Sequence, residues 1–232
     1  MVRLRSGEMM HDWDLTHLHP QTVTPRAGDL LAVSTDCSLW RPRTWFAWRI
    51  QATTRSPWNH VAILAPDAAT GGWLVVEAVT KGGVVKTPLR AWRRAVRGTV
   101  ALGRVKCPTK YAESAARWAE SMVGRPYDWR LILQIRALQL VLGHTLVDRL
   151  QLPARFDANA NDLLICSELA IAGYRQSGWP LADVGPFAGP GAVTASPDVL
   201  LFPFPLLSQI PVLPPRPGQV SRKTRISRPE EG

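Results

Sequence analysis

A chain of 232 residues, 46% of them hydrophobic, can bury one sizeable core or at most two small ones. With 20% charged and 8% aromatic residues it has the composition of a globular domain rather than a disordered or fibrous one. The formal charge of +10 favours an anionic partner (nucleic acid, anionic lipid or an acidic wall polymer) without choosing among them.

The first twenty residues, MVRLRSGEMMHDWDLTHLHP, carry two arginines but no apolar stretch, so no signal peptide is expected. Residues 1–24 read as an N-terminal extension. Its histidines, His11, His17 and His19, offer a metal cluster on paper, but terminal histidines are ordinarily solvated and no metal is expected. AGDLLAVS (27–34) is a turn followed by a short apolar run, hence a first strand. RTWFAWRIQATTRS (43–56) fits a short helix that ends before Pro57. HVAIL (60–64) and WLVVEAV (73–79) flank a loop of Pro, Asp and paired Gly, which predicts a β-hairpin.

GGVVKTP adds another strand with a proline stop. LRAWRRAVRG (89–98) sets four arginines around Trp92. A nucleic-acid patch is one reading; the commoner one is the solvated face of a short helix, and nucleic acid is not the expected partner. TVALGRV (99–105) is a strand. PTKYAESAARWAESMVG (108–124) is the clearest helix, with Pro at its start and Gly124 at its end. Residues 130–152 read as a helical insert. Its apolar window, 131–147, is interrupted by Gln134, Arg136, Gln139 and His144 and is short for a membrane span, so no transmembrane segment is expected. NDLLICSELAIAGYRQSG (161–178) leads into a helix that stops at Gly178. Beyond Pro180 the chain is rich in Pro and Gly, although DVLLFPFPLL keeps enough apolar residues to pack. Residues 206–232 form a basic, proline-rich tail, expected to be extended and able to touch an anionic surface or an assembly partner. Strands first and helices later give an α+β fold, an antiparallel sheet packed against helices, over residues 25–205.

Cys37, Cys107 and Cys166 are odd in number and widely spaced, with no C-x-x-C pair. That argues against a disulfide framework and a zinc site, and for free thiols. Cys166 begins a helix, where backbone N–H groups and the helix dipole favour a thiolate. Alone, His60 fits a strand-end residue satisfied by a neighbouring carbonyl. Glu77 inside LVVEAV is out of place unless it has a partner. With the hairpin turn centred near residues 69 to 70, His60 faces residue 78 or 79, give or take two, and Glu77 becomes its cross-strand neighbour. A carboxylate there would fix the imidazole tautomer and raise its basicity. A cysteine at a helix start beside such a histidine is an arrangement for nucleophilic attack on acyl groups. Spacing alone does not bring Cys166 to His60.

GDLLAV (28–33), RSPWNHVAIL (55–64), VVEA (75–78), GRPYDW (124–129) and ICSEL (165–169) occur in the order found in a known family. In this the chain resembles the circularly permuted branch of the NlpC-type, papain-like cysteine hydrolases, which includes YiiX-like proteins and relatives of lecithin:retinol acyltransferase. The resemblance covers roughly residues 25 to 205, with TASPDVL (194–200) similar to the stretch after the cysteine helix. It implies a papain-like fold with Cys166 as nucleophile, His60 as general base and Glu77 as the orienting group. Tyr127 matches a tyrosine near the oxyanion site, the Cys166 N–H would be an oxyanion donor, and Asp128 would be a turn or cap residue. Ser56, Pro57, Trp58 and Asn59 would form part of the cleft rim, with Trp58 touching substrate. TDCSLW (35–40) imitates the Asp-Cys-Ser element of unpermuted relatives, but Gly28–Asp29 precedes it, so Cys37 reads as a packed residue, and Cys107 as structural.

The resulting expectation is a cysteine hydrolase of amide bonds working through an acyl-enzyme, with no cofactor, acting on an anionic wall polymer's peptides. A lipid thioesterase or acyltransferase with the same triad is the alternative, and a binding module within an assembly such as a phage particle is another.

Overall fold

The computed structural model describes residues 2–3, 9–10, 18–19, 21, 23–35, 45–128, 164–185, 188–205, 207–208 and 210. Cys37, His11, His17, the insert at 130–152 and the tail beyond 210 lie outside the described residues. A short pair, β1 (Val2–Arg3) and β2 (Met9–Met10), stands apart from the main sheet. The main elements follow as β3 (Leu30–Thr35), α1 (Trp45–Thr54), β4 (His60–Asp67), β5 (Gly72–Val79), β6 (Gly83–Pro88), α2 (Leu89–Ala95) and β7 (Gly98–Val105). After them come α3 (Thr109–Ser121), α4 (Cys166–Gln176), α5 (Pro190–Ala195) and β8 (Val199–Pro203).

One six-stranded antiparallel sheet, in the order β6-β5-β4-β3-β7-β8, carries the domain. Side chains alternate between its faces, as a pleated strand requires. Leu30, Ala32, Val61, Ile63, Ala65, Val76, Ala78 and Ala101 point to the face covered by α3 and α4. Leu31, Val33, Ala62, Leu64, Trp73, Val75 and Val100 point to the other, where Leu89 and Trp92 of α2 pack. Burial on both faces explains why β3 and β4 read as nearly continuous apolar runs rather than alternating ones. Each fully buried Leu, Ile or Val adds about 1.5–3 kcal/mol, so these central strands are firm supports for a site. Trp58, Trp73 and Trp92 belong to the core.

α2 has the form of a solvated basic helix: Leu89 and Trp92 are buried, while Arg90 and Arg94 are exposed. β8 is an element the sequence left open. Its proline, Pro203, argues against a central strand, but β8 pairs on one side only, with β7, and an edge strand tolerates proline. Among the described residues no helix is long and apolar enough to cross a membrane.

Candidate active site

The hairpin turn covers residues 68–71, between β4 and β5, and the ladder includes Ile63↔Val76 and Leu64↔Val75. Counting on from Ile63↔Val76, His60 falls level with Val79 and Glu77 lies diagonally across on the same face. Their side chains meet: His60 Nε2 and Glu77 Oε2 are 2.6 Å apart. On its other side His60 is paired with Val33 of β3. The turn that delivers it is pinned by the Asn59 N–H to Val33 O at 3.0 Å, and by the Gln51 side-chain amide to Pro57 O at 2.8 Å.

Cys166 arrives from the far end of the chain as the first residue of α4. Tyr127 and Leu164 form a parallel bridge, with the Asp128 N–H donating to Leu164 O and the Leu164 N–H to Pro126 O, both at 3.2 Å. That segment is in turn tied to β6 by Val84 N–H to Arg125 O and Gly124 N–H to Val84 O, each 2.8 Å. Gly83 permits the approach: its φ is +70°, and a Cβ there would lie 2.0 Å from Arg125 O. The Glu168 carboxylate accepts the Ile165 N–H at 3.3 Å, satisfying a donor at the start of α4. The helix therefore begins at a fixed place beside the first residue of β4.

There the Cys166 thiol and the His60 ring lie close enough for each to shift the other's protonation. Burial alone would push the Cys166 thiol up. The neighbouring His60 charge and hydrogen bond, together with the backbone N–H groups of Val61 and Ser167, outweigh it and bring the thiol below its ordinary value. For His60 burial likewise opposes charging, but the Cys166 and Glu77 charges and hydrogen bonds prevail and lift it to about 10. Burial would raise Glu77 too; the His60 hydrogen bond and charge, with a smaller contribution from the Trp92 indole, hold it below the usual carboxylate value. All three directions favour a thiolate–imidazolium–carboxylate row. Cys166 is 7% exposed, so its thiol is recessed.

Tyr127 is half-buried beside Cys166, and burial followed by the thiolate charge keeps its phenol protonated. Asp128 is buried at the bridge, where its N–H donates to Leu164 O. Trp58 is not at the rim: at 2% exposure its ring packs into the core, while Ser56 and Pro57 of the same turn stay half-exposed. Asn59 is buried as well, its Oδ1 accepting from the Thr35 hydroxyl at 3.1 Å. Ser56, Pro57 and Trp58 do line a cavity of about 720 Å³ with α5 and β8, but Cys166, His60 and Glu77 are not among its walls. Cys107 is half-buried, and burial raises its thiol pKa, the opposite of Cys166. His19 stacks on Phe202 with ring centroids 5.1 Å apart. Trp92 is the neighbour that motif reading missed; the i, i+3 spacing of Leu89 and Trp92 marked it as inward-facing.

Residues 26–135 match the model of a family described as Peptidase_C92, the permuted papain-like amidase enzymes YaeF/YiiX. Among solved structures, the metalloprotein YiiX from Escherichia coli O157:H7 shares this fold. The two are 19% identical with a TM-score of 0.53, over 79% of this chain and 100% of that one. No curated protein matches the chain significantly. Although YiiX is described as a metalloprotein, no cluster of three or more His, Cys, Asp or Glu able to hold a metal occurs among the described residues here. The family match over residues 26–135 and the shared fold, in a chain whose histidine strand precedes its cysteine helix, support a circularly permuted papain-like cysteine hydrolase.

Proposed function

We propose that the chain hydrolyses amide bonds in wall peptides through a Cys166–His60–Glu77 triad. The observation that carries this is the continuous contact from a lowered-pKa thiol, through His60, to a carboxylate 2.6 Å away. The Cys166 thiolate attacks the amide carbonyl. Charge then develops on the carbonyl oxygen, where the Cys166 N–H, without an i−4 carbonyl at a helix start, and the Tyr127 hydroxyl are the nearby donors. The His60 imidazolium gives its proton to the leaving nitrogen as the C–N bond breaks, leaving a thioester on Cys166. Neutral His60 next takes a proton from water, whose oxygen attacks the thioester. The acid leaves and the thiolate–imidazolium pair returns. Glu77 keeps the ring in one orientation and stabilises its positive state.

A family of amidases supports the amide bond, and a charge of +10 supports an anionic polymer as the carrier of the peptide. The test is to incubate the chain with wall-derived peptides and with acyl-lipid donors, following product and Cys166 mass. Peptide cleavage with a transient peptidyl mass on Cys166 is expected, lost by about 10⁴-fold or more in a folded Cys166→Ala variant. Acylation by lipid donors alone would replace the wall-peptide reading with acyl transfer, and full activity in Cys166→Ala would end the triad assignment.

A further inference from the structure

We propose that Trp92 is a positioning residue for this site: its indole N–H holds the Glu77 carboxylate in the orientation from which it meets His60. The placement follows from the pleat. His60, Ala62 and Leu64 of β4 share one face with Trp73, Val75 and Glu77 of β5, and α2 covers that face. Trp92 packs in the same cluster as Ala62, Leu64, Trp73 and Val75 and is 3% exposed.

Its Nε1 is fully buried and meets no acceptor in full hydrogen-bond geometry among the described residues. The carboxylate on this face is Glu77, whose pKa the indole N–H helps to lower. Leaving a buried N–H without an acceptor is costly, and a carboxylate is the strongest acceptor a protein offers. In unliganded sites such contacts are often long and tighten when substrate binds.

Two donors make a carboxylate stationary where one leaves it free to rotate. His60 takes one oxygen at 2.6 Å, and the indole N–H, mounted on a rigid ring in a packed core, restrains the group. The donor is neutral and does not titrate, so it orients Glu77 at every pH. The α2 arginines do not contribute, since Arg90 and Arg94 are exposed and the Arg93 Nη1 donates to Val96 O at 3.4 Å. On β6, Lys86 is exposed and pairs with Val76 rather than Glu77. The titratable neighbours that remain are His60 itself and, through it, Cys166.

The inference rests on the triad but not on the substrate, so thiol chemistry tests it. Alkylation of Cys166 by iodoacetamide is followed against pH by peptide mass in the full chain, in Trp92→Phe, in Glu77→Gln and in the double variant. Losing the N–H makes Glu77 easier to protonate, so the acid limb of the Cys166 profile should rise by roughly half a unit in Trp92→Phe. In the Glu77→Gln background the same change should move nothing. An unmoved limb in Trp92→Phe, or an equal shift without Glu77, would overturn the proposal. An unmodified chain whose Cys166 alkylates like a model thiol would instead remove the triad beneath it. Should Trp92→Phe not fold, the Trp92 indole N–H resonance serves. It should be displaced more than any other indole signal between the unmodified chain and Glu77→Gln, and a smaller displacement refutes the contact.

Discussion

Two carboxylates are buried against the same sheet, and they are treated in opposite ways. Asp29, just before β3, is 0% exposed and ringed by permanent donors. Arg104 gives Nε to Oδ1 at 3.0 Å and Nη2 to Oδ2 at 2.6 Å, and the Arg26 backbone N–H reaches Oδ2 at 2.8 Å. Glu77 has a titratable imidazole at 2.6 Å and one indole nearby. For Asp29 burial prevails over Arg104 and Arg26, and the carboxyl is raised above its ordinary value. For Glu77 burial is also the largest single influence, yet the histidine reverses it. A guanidinium keeps its charge throughout the working range, so the Asp29 cluster has one state and fastens strands. An imidazole can gain or lose its proton, so the Glu77 pair has two states, and that is what acid–base work needs.

Substitutions can break this contrast. The largest effect on stability is expected for Asp29→Ala, which strands Arg104 beside a core wall. It should cost about 3 kcal/mol, read as a fall in Tm, while Cys166 alkylation in the folded fraction stays as it was. A loss of thiol reactivity with no loss of Tm would reverse the two assignments. Glu77→Gln should do the opposite. Hydrolysis should drop by about 10²-fold with little change in Tm. The alkaline limb of the activity profile should also move down from about 10, because the neutral amide no longer supports the His60 imidazolium. The sign follows from the native pair. It exists from the lowered Cys166 pKa up to the raised His60 pKa, and removing the carboxylate charge closes that window from the top. An alkaline limb that stays in place would show that Glu77 does not act on His60. The smallest effect is expected for Tyr174→Phe. Its hydroxyl donates to Gly28 O at 2.6 Å beside the Asp29 cluster, and its loss should cost about 1 kcal/mol with hydrolysis unchanged.

Much of the sheet was legible because its signals are local. Paired glycines and an Asp between two β-rich runs fix a hairpin, and the hairpin fixes which residue lies across from His60. The permuted order of short motifs pointed to Cys166, although nothing in the spacing could bring it to His60. Trp58 was misread because an aromatic next to a polar turn looks the same whether the turn faces water or the core. That orientation depends on Gln51 and Val33, which bond the turn from outside its own sequence. β8 was obscured by Pro203, whose tolerance depends on an edge position that only the assembled sheet defines. Trp92 was noticed only as the centre of a basic run, for a third reason. Flanking arginines dominate the composition of its segment, whereas its function depends on the one helical face they leave bare.

The two halves of the reactive pair come from distant parts of the chain. His60 and Glu77 are 17 residues apart and lie on one hairpin, whereas Cys166 enters only when α4 docks behind the Tyr127–Leu164 bridge. Contacts that close short loops form early and long ones late. During synthesis, then, the proposed base and its carboxylate emerge well before the proposed nucleophile. Until α4 docks, the proposed triad lacks its thiol, and the lowered pKa of Cys166 depends on contacts that docking brings.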